Sequence, residues 1–201
     1  MTGRTLRLVL FIVVAAIQLT VAAGAIIRSE VALRTGETFR FKLQPVDPVD
    51  AFRGRYVALR FVEDHAPLPD GLTQLNQRKV YVPLVDDGDG FATFGPVALE
   101  PPADGAYLRL RSGVEYVDDD GRPVVSLAVP FRRYYMTEKL AKEVDRSLWR
   151  RGQRPAWVTV KVHAGTGVID DLFVDGVPVR DWLSGGGPER PPTGVTVGSP
   201  E

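Results

Sequence analysis

Asp47, Asp50 and Arg53 stand three residues apart, followed by Gly54 and Tyr56, in the stretch P-V-D-P-V-D-A-F-R-G-R-Y-V-A-L-R-F from Pro45 to Phe61. Two carboxylates and one guanidinium at this spacing can do two kinds of work. They can clasp a turn, because short Asp side chains accept hydrogen bonds from backbone N–H groups a residue or two on, and Arg is a fork donor to carboxylates. The clasp is the favoured reading; the alternative is a polar binding site in which Arg53 and Tyr56 share a pocket with Tyr135 and Glu138. The two acidic loops, Asp86–Gly90 and Asp118–Gly121, suggest calcium, but neither has EF-hand spacing and neither is closed by a glutamate. The spacing favours ordinary hairpin turns, with no metal site. His65 and His163 have no His or Cys neighbour at ligand spacing, so they read as surface residues, one in a loop and one ending a strand. No G-x-S-x-G elbow, Walker loop or dinucleotide fingerprint is present, and no cofactor is expected.

The elements around these groups follow from local chemistry. Pro45 and Pro48 fix their own φ and push Gln44 and Asp47 toward extended backbone, so no helix crosses the turn. Gly54 can take a positive φ or admit a neighbouring backbone. Val57, Leu59 and Phe61 then alternate with Tyr56, Ala58 and Arg60, which predicts one half-buried strand over 56–61. Phe39, Phe41 and Leu43 predict another from Glu37, and 63–77 reads as a loop holding at most a brief helical turn. Hairpins are predicted for 79–85 with 91–97 and for 107–117 with 124–129. In residues 107–117, Leu108, Leu110, Val114 and Tyr116 share a parity, and Ser112-Gly113 suggests a bulge. Thr137–Arg151 is the one convincing helix, with Leu140, Val144 and Leu148 as its core stripe and Gly152 as its stop. A last pair, 157–163 and 168–174, is joined across Gly165-Thr166-Gly167, and Asp175-Gly176 turns into Val177-Pro178-Val179, where proline demands an edge. With about eight or nine strands and one helix, the expected fold is mainly β: an antiparallel sandwich or partly closed barrel with a docked helix.

The segment Gly54-Arg55-Tyr56-Val57-Ala58-Leu59-Arg60-Phe61 resembles the signature of the GDYXXLXY family, an uncharacterised group of bacterial membrane-anchored proteins. Asp47-Pro48-Val49-Asp50-Ala51-Phe52-Arg53-Gly54 is similar to that family's lead-in, D-P-x-D-x-x-R-G. Arg55 stands where the family has Asp, and Phe61 where it has Tyr. Phe131–Glu138, F-R-R-Y-Y-M-T-E, resembles the family's second recurring segment, with Tyr135 and Glu138 at the matching positions. The resemblance implies membrane anchoring and a multi-pass membrane protein as partner, and it implies no established activity. A carboxylate at a helix N-terminus is stabilised in its ionised form, which suits Glu138 to capping better than to proton donation.

Composition sets the remaining bounds. The chain has 201 residues, 25 basic and 25 acidic, so no basic field exists to recruit nucleic acid. It contains no cysteine, which excludes disulfides and thiolate metal sites. The apolar run Leu6–Ile27 matches the ~20 residues that cross a bilayer core. It exceeds the usual h-region of a signal peptide, so a retained anchor is favoured over cleavage near Ala22-Ala23-Gly24-Ala25. The expected organisation is a short tail (1–5), an anchor (6–27), a linker or short helix (28–36), a β-rich domain (37–183) and a disordered tail (184–201). The expected location is the cell membrane, single-pass, with the C-terminal domain outside the cytosol. Three functions follow. The first is a non-catalytic binding or accessory module for a membrane partner. The second is an envelope hydrolase using Asp47 and Asp50 with Glu138, whose carboxyls would have to lie ~5–9.5 Å apart. The third is a small-ligand barrel, which needs an apolar cavity with a few polar groups.

Overall fold

The computed structural model describes residues 3–44, 56–136 and 155–182. Helix α1 runs unbroken from Gly3–Thr35, through the apolar run and the segment beyond it. After Gly36 come β1 (Glu37–Gln44), β2 (Tyr56–Ala58), β3 (Arg60–Phe61), β4 (His65–Pro67), β5 (Lys79–Asp86) and β6 (Ala92–Phe94). They are followed by β7 (Tyr107–Val117), β8 (Pro123–Ala128), β9 (Arg133–Tyr135), β10 (Ala156–His163), β11 (Thr166–Val174), β12 (Val177–Pro178) and a single-turn helix α2 (Val179–Trp182). The expected helix over 137–151 and the tail from 184 lie outside the described residues.

The fold is mainly β, with two antiparallel sheets, one of them curled into a half-barrel. One has the order β12-β11-β10-β1-β3, the other β4-β8-β7-β5-β6, and β2 pairs with β9 as a separate ribbon. Alternation decides what meets between the sheets. Phe41 of β1, Val158 and Val160 of β10 and Leu172 and Val174 of β11 are buried from one side; Val80, Val82, Leu108, Leu110, Val125 and Leu127 are buried from the other. Phe61 sits edge-on to both Phe41 and Phe131, with centroids 6.0 and 5.4 Å away. Such rings bury large apolar areas and prefer this geometry.

Several local expectations are corrected. The strand predicted over 56–61 is interrupted at Leu59, whose N–H is donated to the Arg132 carbonyl (2.8 Å). The predicted loop 63–77 contains β4, so His65 lies on a strand opposite Ser126. The turn between β10 and β11 is Ala164-Gly165, both at positive φ (46° and 78°), while Thr166 and Gly167 already belong to β11. That is the backbone a two-residue hairpin of this twist requires, and Asp175-Gly176 (56° and 82°) repeats it. Pro178 lies in β12, an edge strand as proline requires.

The shared parity in β7 fails at its far end for a physical reason. Ser112 pairs with Leu127 but Glu115 pairs with Val125, so β7 carries one residue more than its partner. Leu108 and Leu110 point inward, but Val114, inside the bulge, is 68% exposed. Ser126 Oγ fills the space beside Gly113 and accepts the Val114 N–H at 2.8 Å. Ser112, itself buried, donates its hydroxyl to the Leu75 carbonyl, and the loop before β5 is tied down further by Leu75 N–H to Glu115 Oε1 (2.6 Å).

Gly167 is needed for close approach. A Cβ there would lie 2.8 Å from both Leu108 Cδ2 and Phe131 Cε1. Gly167→Ala is expected to destabilise the full chain by about 1–3 kcal/mol, as overpacking does. Urea unfolding in detergent, followed by tryptophan fluorescence, measures this; a loss below ~0.5 kcal/mol would show that the sheets part freely there.

Candidate functional site

The two segments singled out by their side chains meet through their backbones. β2 and β9 pair antiparallel, with Tyr56 opposite Tyr135, Val57 opposite Tyr134 and Ala58 opposite Arg133. The alternation of β9 sends Tyr135 out, 69% exposed, and Tyr134 inward against the core. Of the candidates, then, Tyr56 and Tyr135 are brought to one register position on one ribbon. Asp47, Asp50, Arg53, Gly54 and Glu138 lie outside the described residues. Phe61, where the resemblance has Tyr, is a core ring; a phenol buried there would need a hydrogen-bond partner.

Beneath the ribbon lies a polar cluster that sequence reasoning missed. Asp171 on β11 is 2% exposed. Its Oδ1 accepts the Leu172 N–H (2.9 Å) and the Tyr134 hydroxyl (3.1 Å), and its Oδ2 accepts Arg180 Nε from α2. Its own N–H is donated to Thr159 Oγ1 (3.1 Å). The reason Asp171 can sit here is a second bulge. Thr159 pairs with Asp171 while Val160 pairs with Ile169, so Asp170 is the extra residue and is exposed. A buried carboxylate is tolerable when opposite charge and hydrogen bonds surround it, and all of its inner oxygens are served here. The legible signal was two consecutive aspartates inside the apolar strand V-I-D-D-L-F-V, since alternation cannot turn both to water.

Electrostatics follow the geometry. Partial burial, with Asp171 beside it, pushes the Tyr134 phenol up to about 12. The hydrogen bond to Asp171 raises Arg180 above its ordinary value. The cluster is thus a neutral phenol and a cation sharing one carboxylate, an arrangement that ties β9 and α2 to β11. Both Asp171 oxygens accept hydrogen bonds from within the protein.

The acidic loops use their carboxylates locally. Asp87 Oδ1 accepts the Asp89 and Phe91 N–H groups (2.9 and 3.0 Å), and Oδ2 accepts Lys42 Nζ (2.6 Å). The Lys42 bond, with those backbone donors, pulls the Asp87 carboxyl down to about 2. Lys42 also lies 4.7 Å over the Phe91 ring, which meets Trp157 edge-on. Asp118 accepts from the Asp120 and Arg122 N–H groups and from Arg122 Nε (3.0 Å). Among the described residues no three His, Cys, Asp or Glu side chains converge as a metal site. A recess of about 110 Å³ between Thr35, Glu37, Tyr107 and His163 is well under the ~300 Å³ of ordinary ligand pockets.

The family described as GDYXXLXY protein matches residues 18–172, from the middle of α1 into β11. No curated protein and no solved structure matches the chain.

Two titrations test the site. In wild type one tyrosine should ionise near pH 12, and Tyr134→Phe should remove that step from the ultraviolet tyrosinate titration. Because the folded value is raised above the ordinary 10.0, the stability linked to it is full below pH 10 and lost as pH rises through about 12. For Asp87 the sign is opposite. Its folded value lies below 3.8, so the stability it lends is present above that pH and lost as pH falls toward about 2. Asp87→Asn should therefore lower Tm at neutral pH, and the gap from wild type should close on acidification to pH 2.

Proposed function

The chain belongs to the GDYXXLXY family, and from that premise we propose that it is a membrane-anchored, extracytoplasmic accessory module that binds a membrane partner without catalysis. One observation carries this reading. The large apolar side chains of α1 between Leu6 and Ile27 are exposed, Phe11 and Leu19 among them, along a helix long enough to cross a bilayer. Exposed apolar surface of that length is costly in water and favourable in lipid. Arg4 and Arg7 at the amino end favour keeping that end inside, which sends the domain that begins at Glu37 outward.

The binding role falls to the motif residues. Tyr135, exposed on a ribbon whose register sets Tyr56 opposite it, is the natural contact, with Asp47, Asp50, Arg53, Gly54 and Glu138 as the further candidates. The buried carboxylate that holds β9 through Tyr134 supports a positioning and binding role for the ribbon, because its donors are internal and structural.

The test is alkaline carbonate extraction of membranes carrying the full chain, with an intact-mass measurement of the product. The chain is expected in the pellet at a mass that includes the amino-terminal segment. A soluble product lacking the first ~25 residues would replace the anchor with a cleaved signal peptide. Crosslinking of wild type against Tyr135→Ala then reads the binding role, which loses its support if both capture the same partner equally.

A further inference from the structure

We infer that α1 is a rigid stalk rather than a tether, so that the membrane span and the β-domain turn as one body. This rests on the reading that residues 6–27 stay in the membrane.

The helix does not stop where the apolar run stops. It continues through Arg28-Ser29-Glu30-Val31-Ala32-Leu33-Arg34-Thr35 without a proline or glycine. These eight residues carry it ~12 Å past the apolar end at 1.5 Å per residue. The headgroup layer on each side of a bilayer is roughly 5–7 Å deep, so this extension clears the lipid by only a few ångströms. Its outer face is polar, with Arg34 Nε 2.7 Å from Glu30 Oε1. Its inner face is clamped. Ala32 is fully buried, and α1 lies against β10 and β11.

The junction has no slack. Gly36 is the single residue between helix and sheet; its N–H is donated to the Ala32 carbonyl (2.9 Å), continuing the helical pattern, and Glu37 already pairs with Val162. A Cβ on Gly36 would lie 2.4 Å from the Ala32 oxygen and 2.9 Å from the Val162 nitrogen. Both are backbone atoms inside regular elements, which cannot rotate aside as a side chain can. A flexible tether needs several residues free to turn about φ and ψ; this junction has none. The stalk therefore sets the height and azimuth at which the β2–β9 ribbon is presented to anything in the bilayer.

The chain has no cysteine, so one introduced at Asp119, at the exposed tip of the β7–β8 hairpin, takes a single fluorophore. Full-length protein in lipid nanodiscs is compared with two variants by time-resolved anisotropy. One is Gly36→Val, which breaks the clamp. The other inserts six Gly/Ser residues between Arg28 and Ser29, which cuts the stalk but leaves Ala32 and Gly36 in place. Wild type is expected to tumble with the disc, and both variants to gain about twofold in the amplitude of the fast, domain-sized component. Should Gly36→Val fail to fold, the insertion still decides the matter. A wild type already as mobile as the insertion variant overturns the stalk. If the chain leaves membranes on carbonate extraction, the anchor reading fails instead. Amide exchange of residues 29–36 in the released protein then decides the stalk, with protection supporting it and exchange at unstructured rates overturning it.

Discussion

Strand β10 is hydrogen-bonded along both edges, to β1 and to β11, and packed on both faces, and the rest of the molecule hangs on that double use. Its inward valines, Val158, Val160 and Val162, are all buried. On the other face, Trp157 stacks on Phe173 with rings nearly parallel, and Thr159 accepts the N–H of Asp171. The end of α1 closes over Val162 through Gly36. A strand with no free edge and one fully buried face has little room to slip, because a shift by one residue would exchange valines with Thr159 and Lys161. Whatever joins β10 inherits that fixity.

Three attachments do so in different ways. The helix joins through shape, with Ala32 and Gly36 small enough for backbone to approach backbone. The opposite sheet joins mainly through apolar packing, with a backbone link from Arg109 N–H to the Gly165 carbonyl (2.9 Å). The β2–β9 ribbon joins through polarity, by way of Tyr134 and the buried Asp171. A hydrogen bond to a buried carboxylate is directional where apolar contact is not, so it fixes where the ribbon sits as well as that it is buried. For a module proposed to present a motif to a partner, positional fixity matters more than added stability.

The acidic hairpin loops show how similar composition resolves into a structural use. Asp86, Asp87 and Asp118 each accept backbone N–H groups of their own turns. Lys42 and Arg122 neutralise Asp87 and Asp118, from a neighbouring strand and from within the turn. The Lys42 link has a further effect. It holds the β5–β6 turn over the outer face of the first sheet, where Phe91 completes the aromatic group with Trp157 and Phe173.

Much of this was determined by the sequence alone, because it depends on neighbours a few residues apart. Alternation in 37–44, 107–111 and 156–163 marks strands and their buried faces; Asp175-Gly176 specifies a two-residue turn; Pro178 requires an edge; Leu8–Ile27 carries no charge over the length of a bilayer. The signature segments likewise placed the chain in its family. Only the tertiary structure decided what depends on distant partners. The pairing of Tyr56 with Tyr135 joins residues nearly eighty positions apart. The burial of Asp171 needed a bulge at Asp170, a phenol from β9 and a guanidinium from α2 at once. The docking of Ala32 and Gly36 needed β10, more than a hundred residues downstream. Local chemistry sets each element's conformation and its apolar face, whereas a charge can be buried, or a helix end seated, only when groups from separate elements arrive together.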